Sequence, residues 1–501
     1  MNLFPSATKD VTETKKVSVR LFGNRLYADQ TLYEYLIEFL LIFSSPKHKD
    51  GTGSNQFHDL QLTEDKLSYY GNTEIGLRRF IFFDKAKRTN ILIDAEAYDR
   101  MIDTLKNHME NVEDSQKIDV IESIQDMLHG YAVVIKKRAW CAQMLLPICK
   151  SFIFCEAMPK TRQRQQLRWS EEPEDLLKID KEFAFDKRNF LAKGGEVYYL
   201  HLLQALQGQP GKQKQLEACL TDLVENQCGK MNEISTYIQN IWEKEMGYDE
   251  PIRQCLNLSS IPATGYDQCG KYAVDELINY LSCSIDPVKR VDILAKGVML
   301  QVMRMMTCRV YDYLHQPIRK WIIDFNNSEN ITIKKIAVEN YRAIEEDMLA
   351  AINREAEELN ADDHLDEKSI QKAIREGKKQ SVDLFRARGK DIQCIIPKTG
   401  GSERLTISED IANWLVLSLV EPETQMTYDM FLQRLYETYG MVIGPVEYRK
   451  MGETDSTVNP SLCGAFVMNS EMFQKFLEAA GFLRSLSDAT AIVVNPYTRL
   501  R

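Results

Sequence analysis

The chain has 501 residues, 44% of them apolar and 27% charged, with a formal net charge of −10. That length exceeds what one hydrophobic core supports and calls for several domains, and the composition excludes a disordered or fibrous chain. The negative balance excludes a protein coated in nucleic acid along its whole length, because phosphate binding rests on clustered lysine and arginine.

The opening "MNLFPSATKDVTETKK" lacks the basic start, apolar middle and small-residue cleavage site of a signal peptide. The longest apolar run, "YLIEFLLIF" at 35–43, contains Glu38 and is too short for a bilayer. A cytoplasmic protein that does not enter membranes is expected. Eleven cysteines without a C-x-x-C pair fit reduced thiols rather than a disulfide framework. Cys255, Cys269 and Cys283 recur every 14 residues, but a thiolate site needs closer pairs to complete a tetrahedron. No metal and no cofactor is expected.

In chain order, "VSVRLFGNRLY" at 17–27 alternates in part and turns at Gly23-Asn24, which predicts a short hairpin. With Asp29 as N-cap, 31–43 is apolar almost all round and predicts a helix in the middle of a domain. "GLRRFIFFDKAKRTNILID" at 76–94 predicts two strands around a charged turn, in a sheet covered on both faces. Residues 1–96 thus read as a small α/β domain.

Over 97–330 apolar residues repeat at three and four, the period of a helical domain, with breaks at Pro159, Gly194-Gly195 and "QGQPGKQKQ". The Met-rich stretch 291–325 is apolar around much of its circumference and predicts a central helix. Residues 331–404 predict a charged helical arm or linker with a narrow stripe of Ile336, Tyr341, Ile344 and Met348. Pro397, Gly400 and Gly401 end it, and Ser408 caps the next helix. Residues 405–501 hold three helical patterns and a hairpin turning near Ser487-Asp488. The expected fold is mainly α and multi-domain.

The last segment, "SEDIANWLVLSLVE", "TYDMFLQRLYETYG", "NSEMFQKFLEAAGFL" and then "RSLSDATAIVV", resembles winged helix-turn-helix domains. The likeness is carried by "LEAAGFLRSLSDATAIVV", and it implies a winged-helix-like domain over 405–501. Two departures bear on its use. Some 28 residues separate the second and third helices, where the usual arrangement has a tight turn. The segment also carries seven basic residues against twelve acidic, and the recognition helix offers only Lys475 beside Glu471 and Glu478. Such a surface repels phosphate, so protein docking is expected rather than base readout. Elsewhere "TLYEYLIEFLLIFSSPK", "GLRRFIFFD" and "FLAKGGEVYYLHLL" look similar to uncharacterised subunits of bacterial anti-phage defence systems that act on modified DNA. That resemblance implies a partner ATPase, helicase or nuclease.

Catalytic patterns are incomplete. "GNTEIGLRR" has the glycine spacing of a phosphate loop but Leu77-Arg78 where Lys and Ser/Thr belong. "AKGGEVYY" and "PKTGGSER" set a lysine beside paired glycines, the makings of an anion nest or of a helix stop. Arg309 and His315 have the Arg-x5-His spacing of a family of helical RNases, but an offset of six leaves one helix face, and His315 precedes Pro317 at a helix end. Asp94 and Glu96 lack the lysine that completes a metal-dependent nuclease core. No catalytic residue is assigned. A cryptic nuclease on Asp94/Glu96 or Arg309/His315, and a winged-helix DNA-binding regulator, stand as alternatives.

Charge is instead partitioned into patches. Residues 339–370 carry three basic residues against eleven acidic, and 371–404 carry nine against four. In "AMPKTRQRQQLRW" at 157–169, Lys160, Arg162, Arg164 and Arg168 suit phosphates and Trp169 suits stacking on a base. In 372–390, Lys372, Arg375, Lys378, Lys379, Arg386, Arg388 and Lys390 suit one basic arm. The expected function is a non-catalytic scaffold or adaptor subunit of a bacterial DNA-associated complex, touching protein partners and DNA through basic loops.

Overall fold

The computed structural model describes residues 2–5, 16–27, 29–60, 67–88, 92–134, 138–156, 178, 193–248, 250–325, 331–363, 366–453, 458–487 and 490–500. The chain is mainly helical and divides into two compact units. One comprises Met1–Leu32, Val197–Cys219 and Ser259–Arg501; the other comprises Tyr33–Glu196 and Leu220–Leu258.

After β1 (Leu3–Phe4), the expected hairpin at 17–27 is instead a helix, α1 (Val17–Phe22). Gly23 closes it with φ 87° and donates its N–H to the Val19 carbonyl, so the glycine is a helix stop and not a hairpin turn. The buried helix is present as α2 (Leu32–Ser44), with every side chain from Tyr35 to Phe43 at most 1% exposed. Lys47 sets its ammonium 2.7–2.8 Å from the carbonyls of Ile42, Phe43 and Ser45, which satisfies the end of that helix.

The two strands expected over 76–94 are also helices. β2 (Ser68–Asn72) leads into α3 (Ile75–Ile81), α4 (Phe83–Lys87) and α5 (Leu92–His108). All seven residues of α3 are buried, so the run shows no period, and an aperiodic apolar run fits a buried helix as well as a strand. The unit continues through α6 (Asp114–His129), the pair β3 (Ala132–Val134) and β4 (Met144–Leu145), and the start of α7 (Gly194–Ala205). Beyond α8 (Pro210–Thr221), α9 (Gly229–Glu245) and β5 (Arg253–Asn257) complete it, with β5 antiparallel to β2. At its centre Arg79 pairs with Asp94 at 2.5 Å, its guanidinium 5.2 and 5.1 Å from the rings of Trp140 and Trp242. A Cβ on Gly76 would sit 2.3 Å from Trp242, so α3 meets α9 only because a glycine stands there.

In the other unit β6 (Ile261–Pro262) pairs with β1, and α10 (Asp267–Leu281) precedes α11 (Pro287–Leu314). α11 is the Met-rich central helix. Asp286 caps its start by accepting from the N–H groups of Val288 and Lys289, and His315 ends it at φ 57°. Arg304 of α11 forks onto Glu276 at 2.7 and 3.0 Å, and Gln301 and Tyr439 donate to the same carboxylate. A buried charge is tolerable only when paired and hydrogen-bonded in this way.

β7 (Trp321–Ile322) is followed by α12 (Ile331–Asp363), α13 (Glu367–Lys379) and α14 (Val382–Asp391), then the hairpin β8 (Ile395–Ile396) and β9 (Arg404–Leu405). Ile333, Ala337, Tyr341, Ile344, Met348 and Ile352 bury a continuous face of α12, while Ile336 lies beside that stripe. The final segment runs α15 (Glu409–Leu419), β10 (Gln425–Thr427), α16 (Tyr428–Tyr439), β11 (Met441–Val442), α17 (Pro445–Met451) and α18 (Cys463–Ala479). It ends in the hairpin β12 (Leu483–Ser487) and β13 (Thr490–Val494), with β13 central in an antiparallel sheet β10-β13-β12. α18 buries Phe466, Asn469, Phe473 and Leu477 at helical spacing. Asn469 donates to the carbonyls of Ile323 and Ile443 and accepts from the Phe325 N–H. Among the described residues no helix is long and apolar enough to cross a membrane.

Candidate nucleic-acid interface

Of the basic residues singled out in the sequence, Lys160, Arg162, Arg164, Arg168 and Trp169 lie outside the described residues. The others fall on two consecutive helices rather than on loops. On α14 the cations are engaged within the fold. Arg386 forks onto Glu345 at 2.9 and 2.6 Å, Arg388 donates to the Gln30 carbonyl at 2.6 Å and lies 2.9 Å from Asp391, and Lys390 sits 3.1 Å from Glu403.

On α13 the geometry is different. Lys368, Lys372, Arg375 and Lys379 follow i, i+4, i+7, i+11 and therefore share one face, and all four are exposed. Lys368, Lys372, Arg375 and the neighbouring Lys378 make no ion pair among the described residues, and Lys379 has only a 3.6 Å approach to the exposed Asp29. Asp366 caps the helix by accepting from the Ser369 N–H at 2.9 Å, and Lys378 and Lys379 sit in the last turn, where the dipole favours cations. The opposite face is held close to the fold, since a Cβ on Gly377 would lie 3.0 Å from Ile352 and 3.2 Å from Val17.

Two cations from the start of the chain extend the patch. Arg25 lies 3.7 Å from Glu376 and donates to the Tyr27 hydroxyl, and Lys16 stands close enough to Arg25 to feel its charge. The Lys16 ammonium is held below its usual pKa, first by burial and then by Arg25, while Glu376 opposes. The stripe from Lys368 to Lys379 spans about 16 Å at 1.5 Å per residue, roughly five base pairs of duplex. Sequence reasoning misses Lys368, Lys16 and Arg25, the last two because they join the patch only in three dimensions. The four-residue periodicity of 368–379 carries a signal for the first, but nothing local links 16 and 25 to that helix.

The residues considered for chemistry are committed elsewhere. Asp94 lies on α5, 1% exposed and paired with Arg79, and Glu96 is half-buried on the same helix. Arg309 is buried, donating to the Leu21 carbonyl at 2.8 Å and to Asp312 at 2.9 Å, while the exposed His315 caps the end of α11. The paired glycines Gly194 and Gly195 do open a helix whose N–H groups hold an anion, and that anion is internal. Glu38 accepts from Gly195 and Glu196 at 2.8 and 3.2 Å. Gly400 and Gly401 fall in the β8–β9 hairpin, with Gly400 at φ 96°.

Family models, curated proteins and solved structures return no match to this chain. Local geometry therefore carries the functional reading. A capped helix presenting a cationic stripe about five base pairs long, of which only Lys379 approaches an acid among the described residues, suits a phosphate backbone, because such contacts need charge and spacing rather than a pocket.

Proposed function

We propose that this protein is a non-catalytic adaptor of a multiprotein DNA-associated assembly. In this reading the α13 stripe rests on the phosphate backbone, and residues 405–501 act as a winged-helix-like domain that docks a protein. The observation that carries the first part is the exposed face of Lys368, Lys372 and Arg375, which meets no acid among the described residues, in a chain whose net charge is −10. The second part is supported by α15, β10, α16 and α18 followed by the β12–β13 hairpin, with β11 and α17 inserted before α18, and by the β10-β13-β12 sheet, together with exposed Glu471 and Glu478 against the single exposed cation Lys475 on α18. An ATPase, helicase or nuclease partner would then supply the chemistry.

The test is binding of the full chain to a labelled 30-base-pair duplex of arbitrary sequence across a salt series. Four phosphate contacts predict a slope of log affinity against log salt of about −3 to −4, independent of sequence. Absence of binding at low salt, or a preference for one sequence with a shallow slope, would overturn the DNA arm of the proposal.

A further inference from the structure

The outer face of α18 does not stand free. α17, formed within the 28-residue connection, stands beside it, and with α16 and the β12–β13 hairpin it lines a cleft of about 710 Å³. Val467, Ser470, Glu471 and Gln474 of α18 line this cleft at i, i+3, i+4 and i+7, so the face a groove reader would offer to DNA is walled in.

The rim and the floor differ in chemistry. Met430, Val446 and Val467 stand on the rim at 54, 50 and 45% exposure, three large apolar side chains left in water around one depression. Isolated exposed apolar residues need no explanation, but a cluster rimming a cleft marks an interaction surface. On the floor Tyr428 donates to the Ser470 carbonyl at 2.9 Å, and Glu447 lies beside them with only 4% exposure. Glu447 Oε2 is buried without a hydrogen-bond partner among the described residues. Burial, and then the neighbouring Asp429, push its pKa up, against the opposing influence of the backbone at Glu447 and Gly444 and of the Lys450 ammonium. Asp429 and Glu471 line the same cleft, and among the described residues that line it Lys450 is the single cation.

We propose that this cleft docks a short segment of a partner protein in which a lysine or arginine is flanked by aliphatic side chains. The aliphatic groups cover Met430, Val446 and Val467, and the cation reaches Glu447 with Asp429 and Glu471 around it. Charge complementarity selects this occupant. A site of three carboxylates and one ammonium, on a segment with twelve acidic and seven basic residues, disfavours an acidic partner and nucleic acid alike. A cation docked beside Glu447 also offsets the burial of its carboxylate. A helical segment fits the mode in which apolar anchors at i and i+3 or i+4 enter a groove. The inference rests on the docking role proposed for residues 405–501 and is independent of DNA binding by α13.

The test selects a displayed library of random 12-residue peptides on the full-length chain and measures the enriched peptides by fluorescence anisotropy. Expected are peptides with Lys or Arg within four positions of Leu, Ile, Val or Met. Their affinity should fall at least tenfold in Val467→Asp and at least threefold in Glu447→Gln. Glutamine keeps the size and shape of the side chain and removes only its charge, so Glu447→Gln, with its fold checked by circular dichroism, separates binding from stability. Enriched acidic or purely apolar peptides that Val467→Asp still abolishes would leave the docking role standing and overturn this inference. No enrichment above an unrelated protein, or equal binding by both variants, would overturn both. Self-association abolished by Val467→Asp would give the cleft to a second copy and overturn the proposal as well.

Discussion

Helices α13 and α14 follow one another with a gap of two residues, and each carries a dense set of lysines and arginines. In α14 the buried Arg388 meets Asp391 and the Gln30 carbonyl, the partly exposed Arg386 meets Glu345, and Lys390 meets Glu403. In α13 the cations Lys368, Lys372 and Arg375 point outward and meet no acid among the described residues. The difference follows from the apolar register. Ala373 and Gly377 turn one face of α13 inward and leave the stripe outside, whereas Leu384, Phe385 and Gly389 bury α14 on faces that its arginines must share. Equal charge in a sequence is therefore not equal charge at a surface, and only the unpaired part is available to a ligand.

The contrast predicts two kinds of variant. The largest effect is expected for Arg388→Ala, which strands the Gln30 carbonyl and removes a side chain 9% exposed. Loss of a buried charged hydrogen bond costs about 2 kcal/mol, measured as a shift in the urea midpoint at unchanged slope, with duplex binding retained. If Arg388→Ala instead abolished binding at full stability, the two helices would form one interface and the contrast would fail. Next comes the charge reversal Lys372→Glu with Arg375→Glu, expected to lower duplex affinity about tenfold or more and to flatten the salt slope by about 2, with the thermal midpoint unmoved. A loss of stability in that pair would show that the stripe is structural.

Much of the architecture is legible from residue patterns, and the failures have physical causes. The all-round apolar character of 31–43 gives α2, the Met-rich 291–325 contains α11, and the helices and hairpin of 405–501 appear in order. "VSVRLFGN" and "GLRRFIFFD" misread as strands. In the first, Gly23 serves a helix end with the same positive φ that a hairpin turn would need; in the second, burial on all sides erases the helical period. Pairings such as β2 with β5, or β7 with β11, join segments more than a hundred residues apart and leave no local trace. The α13 stripe could be read from spacing alone, but which cations stay free depends on Glu345 and Glu403, acids placed by tertiary packing. The cleft is hidden for a related reason, since Met430, Val446 and Val467 look like core residues until the fold leaves them outside.

A smaller effect separates exposed pairing from burial within α14 itself. Arg386 is bidentate to Glu345 but 36% exposed, so Arg386→Ala should cost only about 0.5–1 kcal/mol, and the cost should shrink in 1 M salt. A cost matching that of Arg388→Ala would mean that the bidentate geometry, not burial, decides how firmly a cation is committed.

The smallest effect sharpens what α13 contributes beyond charge. Asp366 accepts from the Ser369 N–H and so orders the first turn, which carries Lys368 and leads to Lys372. Asp366→Ala should fray that turn at a cost of about 0.5 kcal/mol, the low end for an exposed cap, whereas Asp366→Asn keeps an acceptor and should cost far less. A phosphate ligand must then reorder the turn before using its cations, so duplex affinity should fall about two- to threefold in the alanine variant and hardly at all in the asparagine one. The same alanine substitution placed on the Lys372→Glu, Arg375→Glu background should have a smaller effect, because of the cations it disorders only Lys368 then remains to be reordered. Undiminished binding by Asp366→Ala would mean that the stripe works as loose charge, and that the fixed spacing of its four cations is incidental to how DNA is held.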